Sequence, residues 1–387
     1  MQRRRYKVAL VADWYLPRVG GLELHIHELA RELNLRGHEA HIICATPGPQ
    51  ESDGVRSHRL DVPLMPGIQS IRSPQAMRPL EQRLRSEAYD IIHCQSLFSP
   101  LCHAGMFLAK KLGVPSVFTE HSVLQGVAFQ IYKAFSPLYR WAEWPTILTA
   151  VSSYVAEDVR KLCGREVFVL PNGIDPSRWA IARPRVSASQ GIRVTSVLRL
   201  NRRKRPLDIL RAIPRIDVQL PPELRPRFTL AGDGPERSNV EKEARRLGVQ
   251  DRIELLGFVP REKVRDVLAS STLFILPSTK EALSRAVLEA LSVGLPVVAR
   301  KPNGVSDIVE HGREGYLADT LEDFADRIAE LIRDPRRREK MAHNALRKPA
   351  HFGWDRVIPR HLEIYRLAID KHFGHPLVRV VPQRLFA

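Results

Sequence analysis

The chain has 387 residues, of which 44% are apolar, and this length exceeds what one hydrophobic core usually organises. Sixty Lys and Arg residues against 43 Asp and Glu give a net charge of +17, which favours a polyanionic partner: nucleic acid, an anionic membrane surface or phosphorylated small molecules. A generally Arg-rich surface explains the same composition. No stretch approaches the roughly 18 apolar residues of a membrane span, so the sequence predicts none.

Cysteine usage favours a reducing compartment, and we expect a cytoplasmic protein. The four cysteines lie far apart, form no C-x-x-C pair and join no Cys/His cluster at metal-ligand spacing, so no metal site is expected. The N-terminal stretch "MQRRRYKVALVADWYLP" has a basic start, but its short apolar run ends at Asp13 without a small-residue cleavage site. We interpret this run as a first buried strand and not as a signal peptide.

Short β-rich apolar runs alternate with helical patterns along the chain, as in βαβ units on a parallel sheet. The first series runs from "YKVALVA" through the helix "LELHIHELARELNLRG" to "VFVLPNG". After a Pro/Ser/Arg-rich stretch at 175–191 the pattern resumes with "IRVTSVLRL" and continues to "GLPVVAR". The sequence therefore predicts an α/β protein with two doubly wound domains, at 1–172 and 190–350.

The last segment, 351–387, contains the amphipathic stretch "HFGWDRVIPRHLEIYRLAI" and a basic tail without a clear period. We expect the amphipathic stretch to form a helix that crosses back to the first domain. Ligands of open parallel sheets bind beyond the carboxyl ends of the strands. Two such sheets are expected to face a central cleft, so the residues that directly follow strands are the candidates for the site.

Two candidates follow strands of the first domain. Gly20 and Gly21 precede a helix, where paired glycines let an anion approach free N–H groups, although such a turn is often only structural. His121, in "TEHS", can hydrogen-bond a sugar hydroxyl or move a proton near neutral pH. A Ser-His hydrolase is the weaker interpretation, because the chain has no G-x-S-x-G elbow.

In the second domain, a cluster of cations follows the strand in "SVLRLNRRKRP", at Arg199 and at 202–205. Arg binds a diphosphate as a fork and Lys as a point charge, so this cluster suits a diphosphate ligand. A solvated basic loop is the alternative.

The stretch "STKEALSRAVLEALSVGLPVVAR" sets two carboxylates around an apolar helix that is predicted to begin near Ser284 and to end at Gly294. Glu281 precedes the helix and Glu289 interrupts its apolar face, where a carboxylate is almost never buried without a partner. A ribose or hexose diol would satisfy both acids, and the N–H groups between them could hold phosphate. Solvent-facing glutamates on an ordinary helix are the alternative.

These motifs together resemble the retaining glycosyltransferases of family 4, over nearly the whole chain. The most specific motif is E-x7-E, at Glu281 and Glu289, and it is supported in the family's order by "GGLELHIHELARELNLRGHEAHI", "TEHS", "VLPNGID", "LRLNRRK", "LAGDGPE" and "RIELLGFVP". The resemblance implies a GT-B fold with two Rossmann-like domains. It also implies transfer of a hexose of the glucose, mannose or N-acetylglucosamine type from a nucleotide diphosphate sugar to an alcohol, without metal or cofactor.

By motif position, the resemblance assigns catalytic roles to four residues. Arg199 and Lys204 would bind the donor diphosphate, Glu281 the hydroxyls of the transferred sugar, and His121 the sugar near its 6-position. The further donor-binding residues would be Gly20, Gly21, Phe258, Leu283, Ser284 and Glu289, with Glu289 on the ribose diol and the backbone around Phe258 at the base. Neither glutamate is expected to be a nucleophile, so catalysis would rest on electrostatic stabilisation and orientation.

The sequence departs from the family pattern in two places. Ala282-Leu283-Ser284 stands where the family usually has a turn such as Gly-Phe-Gly, and Arg205 stands where Gly is common. "TEHS" and "KEALS" are most similar to the branch that glycosylates phosphatidylinositol. Segments 72–89 and 129–144 mix basic and apolar residues, which indicates peripheral contact with the inner face of a membrane, or equally core-facing helices with a basic side.

Three alternative functions are consistent with parts of the pattern. A nucleotide-sugar epimerase of the same fold would convert the donor without an acceptor. A basic nucleic-acid-binding protein would suit the charge, but no recognisable module for nucleic acid is present, and we expect none as a partner. A family member that binds nucleotide sugar without turnover would suit the altered turn at 282–284.

Overall fold

The computed structural model describes residues 4–62, 77–126, 129–130, 132–134, 140–180 and 191–376. It divides into two compact units. Of the described residues, those up to Gly173 and those from Trp354 onward form the first unit, and those within Ile174–Gly353 form the second. The sequence predicts domain boundaries at 172, 190 and 350, and the structure changes from one unit to the other after residues 173 and 353.

The first unit is built on a sheet with the order β3-β4-β2-β1-β5-β6-β7-β8 among the described residues. Neighbouring strands are parallel except β3 and β4, which are antiparallel. The strands are β1 (Lys7–Val11), β2 (Glu39–Cys44), β3 (Glu51–Ser52), β4 (Val55–Arg59), β5 (Ile91–Gln95), β6 (Ser116–Glu120), β7 (Ile147–Ala150) and β8 (Phe168–Val169). The helices between them are α1 (Gly21–Leu35), α2 (Met77–Glu87), α3 (Pro100–Leu112) and α4 (Ser153–Cys163).

Local sequence explains where these helices begin and end. The Ser99 side chain accepts a hydrogen bond from the Cys102 N–H, and Pro100 follows at the first helical position, so α3 begins with two favourable residues. Gly113 ends the helix at φ 67°, a left-handed conformation that glycine adopts without a steric penalty. Strands β5 and β6 are buried along their whole length, as expected of central strands covered on both faces.

The second unit is a six-stranded parallel sheet, among the described residues, with the order β11-β10-β9-β12-β13-β14. Its strands are β9 (Arg193–Val197), β10 (Arg227–Ala231), β11 (Ile253–Gly257), β12 (Leu273–Leu276), β13 (Val297–Arg300) and β14 (Gly315–Ala318). Its helices are α5 (Pro206–Gln219), α6 (Arg237–Arg246), α7 (Arg261–Ala269), α8 (Arg285–Ser292), α9 (Leu321–Arg333) and α10 (Pro335–Ala345). The strand order reverses between β9 and β12, which makes their carboxyl ends the expected ligand position.

The last helix, α11 (Trp354–Phe373), belongs to the first unit although it follows the second in sequence. Its buried face includes Val357 and Tyr365, which pack with Val8 of β1 and Ile91 of β5 in one hydrophobic core. The predicted α/β fold with two Rossmann-like domains and a helix that returns to the first is confirmed. The basic tail from residue 377 and the stretch 181–190 lie outside the described residues.

The two segments considered for membrane contact use apolar residues for packing. In α2, Leu80 and Leu84 are buried, and in the second segment Trp141 is buried against Phe118. Residues 72–76 of the first segment, and 131 and 135–139 of the second, lie outside the described residues. Among the described helices, none combines the length and hydropathy that a membrane span requires.

Candidate functional site

The end of β9 is held in place by the glycine-containing turn that follows β10. The Leu198 and Leu200 N–H groups donate to the carbonyl oxygens of Ala231 and Asp233, at 3.0 and 2.9 Å. A Cβ atom on Gly232 would overlap the backbone of Leu198, so the turn in "AGDGPE" permits this close approach. Arg199 lies between the two anchored leucines and is exposed.

Lys204 and Glu281 form an ion pair in the second unit. The Lys204 Nζ lies 2.7 and 2.8 Å from the two carboxylate oxygens of Glu281. The Lys204 side chain is 25% exposed, whereas that of Glu281 is 6% exposed. Because these residues follow β9 and β12, the structure places opposite charges at the point where the strand order reverses. The cation would bind phosphate oxygens, and the carboxylate would accept hydrogen bonds from hydroxyl groups.

A short loop structure orients Lys204 toward this point. Asn201 caps a 3₁₀ turn, Arg202–Lys204, by accepting a hydrogen bond from the Lys204 N–H at 3.0 Å. Arg205 then adopts φ 54°, the left-handed conformation for which glycine is the usual residue. Its Nε donates to Asp208 Oδ2 at 2.6 Å, and the same oxygen accepts from Arg300 at 2.8 Å. The departure from the family pattern at Arg205 thus keeps the glycine-type backbone and adds an ion pair.

The loop that carries Glu281 is supported by the segment after β13. The Glu281 carbonyl accepts a hydrogen bond from the Gly304 N–H at 2.8 Å. The buried Asn303 side chain donates to the Ser278 carbonyl at 3.0 Å. Ser278 itself donates to the carbonyl of Arg203 at 3.5 Å, which links this loop to the cation-bearing loop after β9. Glu281 therefore sits on a backbone that is fixed from two sides.

Helix α8 begins as its sequence predicts. The Ser284 side chain accepts from the Val287 N–H, and Gly294 follows the helix at φ 79°. Ala282 and Leu283 are buried, and within the described part of the chain their backbone N–H groups donate to no protein acceptor. Replacement of the usual glycines therefore keeps a short, tightly packed turn before the helix, with backbone donors that a ligand phosphate could use.

Glu289 lies on the buried side of α8, and an arginine that the sequence analysis did not identify lies beside it. The Arg261 Nε is 4.0 Å from Glu289 Oε1, and its guanidinium lies over the Trp179 ring, 5.7 Å from the ring centroid. Arg261 begins α7, three residues after Phe258, which is the most exposed aromatic side chain of this loop at 74%. The loop after β11 thus carries the exposed Phe258, for which a base contact stays a prediction, and it leads to a cation beside Glu289.

In the first unit, His121 is held by Gln95. The His121 Nε2 lies 2.6 Å from Gln95 Oε1, at the ends of the neighbouring strands β6 and β5. An amide oxygen only accepts, so Nε2 carries the proton, and Nδ1, which has no partner among the described residues, is the acceptor. Burial lowers the pKa of His121 to about 3, so the imidazole is neutral at neutral pH. It can accept a hydrogen bond from a hydroxyl group, but it is not a general acid.

The residue before His121 shapes this loop. The buried Glu120 carboxylate accepts from the N–H groups of Leu97, His121 and Ser122 at 2.7, 2.9 and 2.6 Å. Burial nevertheless raises the pKa of Glu120 to about 7. Glu120 therefore fixes the backbone of the "TEHS" motif and does not point to the ligand position itself.

Gly20 and Gly21 lie at the start of α1, as predicted. Gly20 is the N-cap in an extended conformation, and a Cβ atom there would overlap the Glu23 carboxylate. Glu23 is buried and lies 3.3 Å from the Arg18 guanidinium. The chain's own carboxylate therefore occupies the space beside the first glycine, and phosphate contact at Gly20 and Gly21 stays a prediction.

Of the residues predicted from the sequence, the structure brings together Lys204 and Glu281, and it shows Arg199 exposed on the same loop as Lys204. It shows Glu289 with Arg261 and His121 with Gln95, two partners that sequence reasoning missed. Arg261 had a detectable signal, since it follows "LLGFVP" at the end of a strand, whereas Gln95 had none beyond its position at a strand end.

Known proteins are similar to this chain along most of its length. Residues 19–178 match the family model for Glycosyltransferase Family 4, and residues 177–348 match the model for Glycosyl transferases group 1. A phosphatidylinositol N-acetylglucosaminyltransferase subunit from Arabidopsis thaliana is 28% identical over 94% of this chain and 83% of its own length. D-inositol 3-phosphate glycosyltransferase of Pseudarthrobacter chlorophenolicus is 26% identical over 94% of each chain.

Among solved structures, Anabaena HepE in complex with UDP superimposes with a TM-score of 0.78 at 21% identity, over 93% of this chain and 99% of that one. This likeness establishes the fold. The two family models together extend over residues 19–348, and Arg199, Lys204 and Glu281 follow strands at the sheet edge where the fold places ligands. The chain is therefore a glycosyltransferase, with a Glycosyltransferase Family 4 domain as its first part and a Glycosyl transferases group 1 domain as its second.

Proposed function

We propose that this enzyme transfers N-acetylglucosamine from its UDP derivative to a hydroxyl group of an inositol-containing acceptor, with retention of configuration and without metal in the reaction. The names of two relatives support the acceptor class, because one refers to phosphatidylinositol and the other to inositol 3-phosphate. The name of the first also supports the sugar, and the UDP bound to HepE supports the base.

The observation that carries the proposal is the Lys204–Glu281 ion pair, whose cation lies on the same loop after β9 as the exposed Arg199. Without a ligand, each charge neutralises the other. A donor diphosphate would take the Lys204 ammonium and the Arg199 guanidinium, and two hydroxyls of the sugar would replace Lys204 on Glu281. A cation on the loop after β9 paired with a carboxylate on the loop after β12 supports a donor in which a sugar follows a diphosphate, as in a nucleotide sugar.

Two cations at the diphosphate would supply the stabilisation that a divalent metal supplies elsewhere. Negative charge grows on the diphosphate as the bond from sugar C1 breaks, and fixed positive charge lowers the barrier to that step. The acceptor oxygen forms the new bond to C1 on the same face, and its proton passes to a diphosphate oxygen. Both Glu281 oxygens bind Lys204, which fits a positioning role better than that of a nucleophile.

Glu289 would bind the ribose diol, with the Arg261 guanidinium beside its carboxylate. Neutral His121, with its Nδ1 as acceptor, would accept a hydrogen bond from the 6-hydroxyl of the transferred sugar. An inositol lipid acceptor would also give the excess of basic residues an anionic surface to bind.

The test measures transfer from UDP-N-acetylglucosamine, UDP-glucose and GDP-mannose, each with EDTA, to phosphatidylinositol in vesicles, soluble inositol 3-phosphate and glycerol. We expect UDP-N-acetylglucosamine with one of the inositol acceptors, and an α-anomeric product by NMR. Glu289→Gln should raise the KM for the donor about tenfold. Glu262→Gln, an exposed glutamate on α7, is the matched control and should leave KM unchanged.

Each result bears on a different part of the proposal. Turnover only to glycerol would exclude the inositol acceptor, and a β product would exclude retention. Activity that EDTA abolishes and Mg²⁺ restores would contradict metal independence. If no nucleotide sugar is bound or consumed, the donor site as assigned is wrong.

A further inference from the structure

The face of the first sheet that α2 covers contains two imidazoles and a carboxylate in contact. His41 is in β2, His58 is in β4, and Glu87 is the last residue of α2. Their side chains are 6%, 7% and 14% exposed. Alternate residues of β2 point to the other face and join the apolar core. The three polar side chains are therefore buried beside an otherwise apolar core, and buried polar groups need partners.

The spacing of the three groups matches that of ligands around one metal ion. The His41 Nδ1 lies 3.3 Å from His58 Nε2, and the Glu87 oxygens lie 3.7 Å from His58 Nε2 and 3.9 Å from His41 Nδ1. In a tetrahedron with metal–nitrogen bonds of about 2.0–2.1 Å, ligand atoms are about 3.3–3.4 Å apart. Movements of about half an ångström in the Glu87 side chain would complete the arrangement, with water or the Tyr89 hydroxyl as a fourth ligand.

The surroundings of the three groups resemble those of a metal site. The His41 Nε2 lies 3.3 Å from a carboxylate oxygen of Glu39, and metal-bound histidines usually donate their second N–H to such a group. Burial lowers the pKa of both imidazoles, that of His58 to about 4, while the hydrogen bond from Lys7 lowers the pKa of Glu87. Neutral imidazoles and an ionised carboxylate are the forms that bind metal.

Two cations compete with a metal ion for Glu87. The Lys7 Nζ lies 2.8 Å from Glu87 Oε2, and the Arg83 guanidinium lies 3.5 Å from Oε1. Without metal, these side chains form a hydrogen-bonded network. His41 Nδ1 lies 3.3 Å from His58 Nε2 and 3.1 Å from the Tyr89 hydroxyl oxygen. Replacement of Lys7 can therefore test the site. Loss of its ammonium group should strengthen metal binding, because a competitor for Glu87 is removed, but it should weaken a network held by hydrogen bonds alone.

We infer that His41, His58 and Glu87 form a binding site for Zn²⁺, or a divalent metal with the same preference for imidazole and carboxylate, that joins β2, β4 and α2. Nitrogen and carboxylate ligands in a tetrahedral arrangement suit this class of ion. None of the three residues follows the carboxyl end of a strand, so the site is separate from the candidate donor site. The inference does not depend on the proposed function, and a metal here leaves metal-independent transfer intact.

The test uses the full chain without an affinity tag, stripped with a chelator, dialysed and titrated with Zn²⁺ by calorimetry and with Co²⁺ by visible absorption. We expect one ion per chain and Co²⁺ bands typical of tetrahedral coordination. His58→Gln and Glu87→Gln should abolish binding, whereas His343→Gln, an exposed histidine of the second unit, should retain it. Glu39→Gln should weaken binding about 10–100-fold, and Lys7→Gln should strengthen it.

Zn²⁺ should raise the melting temperature of the wild type and of His343→Gln but not that of His58→Gln. Absence of a bound ion in the wild type would overturn the inference. Metal binding by His58→Gln and Glu87→Gln that equals binding by the wild type would also overturn it. If a ligand variant fails to fold, the inference is tested by the Co²⁺ spectrum of the wild type and by metal binding to Lys7→Gln. Octahedral bands in that spectrum, or weaker metal binding by Lys7→Gln than by the wild type, would also overturn the inference.

Discussion

The two units differ in the kind of polar group that they bury. In the first unit, burial lowers the pKa of His93, His121 and His361, and His361 contacts His93 and Tyr365. In the second unit, formal charges are paired, as in Lys204 with Glu281 and Arg205 with Asp208. These imidazoles therefore offer hydrogen-bond donors and acceptors without charge, whereas the paired groups of the second unit offer charge that a diphosphate could use.

The uneven distribution of histidine follows the same division. His311, His343 and His351 are in the second unit, and the other eleven of the 14 histidines are in the first. The difference indicates that acidification acts mainly on the first unit, whereas loss of a cation in the second acts mainly on catalysis. The predictions below test this division.

The largest effect is expected from Lys204→Ala in the second unit. Removal of one fixed charge from the developing diphosphate should lower kcat roughly 100–1000-fold. Arg203→Ala is the matched control from the same loop, because this exposed side chain makes no ion pair with a described residue, and kcat should stay within a factor of about three. Steady-state kinetics with saturating acceptor measures both. Equal losses of kcat in Lys204→Ala and Arg203→Ala would mean that the loop acts through its overall positive charge.

Acid should destabilise the first unit. Burial lowers the pKa of His361 to about 4, where it contacts His25, His93 and Tyr365, so its folded state binds fewer protons than its unfolded state below pH 6.5. Stability contributed by this group is present above pH 6.5 and is lost as the pH falls toward 4.

Tryptophan fluorescence during urea unfolding can follow this change. Four of the five tryptophans lie in the first unit, and Trp179→Phe removes the one in the second. The urea midpoint should fall between pH 6.5 and 4 in Trp179→Phe, and less steeply after the further change His361→Leu. An unchanged slope in the double variant would show that other groups control acid sensitivity.

A smaller effect is expected from Gln95→Met in the first unit. Loss of the amide oxygen leaves the His121 N–H without its acceptor and frees the ring to change tautomer, so kcat should fall about tenfold. A donor lacking the 6-hydroxyl provides the internal control, because it cannot use His121 Nδ1. The variant should equal the wild type with that donor. A tenfold loss with both donors would indicate a structural role for Gln95.

The smallest effect is expected at Arg205. Arg205→Gly removes the left-handed strain but also the ion pair with Asp208, which keeps Arg300 as a partner. The free energy of unfolding should change by less than about 1 kcal/mol. Asp208→Asn is the contrasting variant and should be clearly destabilised, since it leaves the nearly buried Arg300 without a carboxylate. Urea unfolding measures both, and a strongly destabilised Arg205→Gly would mean that the ion pair dominates.

Much of this architecture is predictable from local sequence. The run "YKVALVA" predicts β1, and Ser284 and Gly294 mark the ends of α8, because capping and burial are properties of adjacent residues. The charged loop after β9 can likewise be predicted, because its cations are close together in the sequence. What could not be predicted are contacts between distant residues: His93 bonds Tyr365 across 272 positions, and Lys204 meets Glu281 across 77. No period in the sequence indicates such pairs.

The place of α11 has a consequence for the order in which the protein forms during synthesis. The second unit is continuous in sequence, so it can fold as soon as residue 353 has left the ribosome. The first unit lacks Val357 and Tyr365, which fill its core, until the segment after residue 353 has been translated. The first unit is therefore completed after the second, although most of it precedes the second in sequence, and its exposed sheet must be protected from aggregation in the meantime.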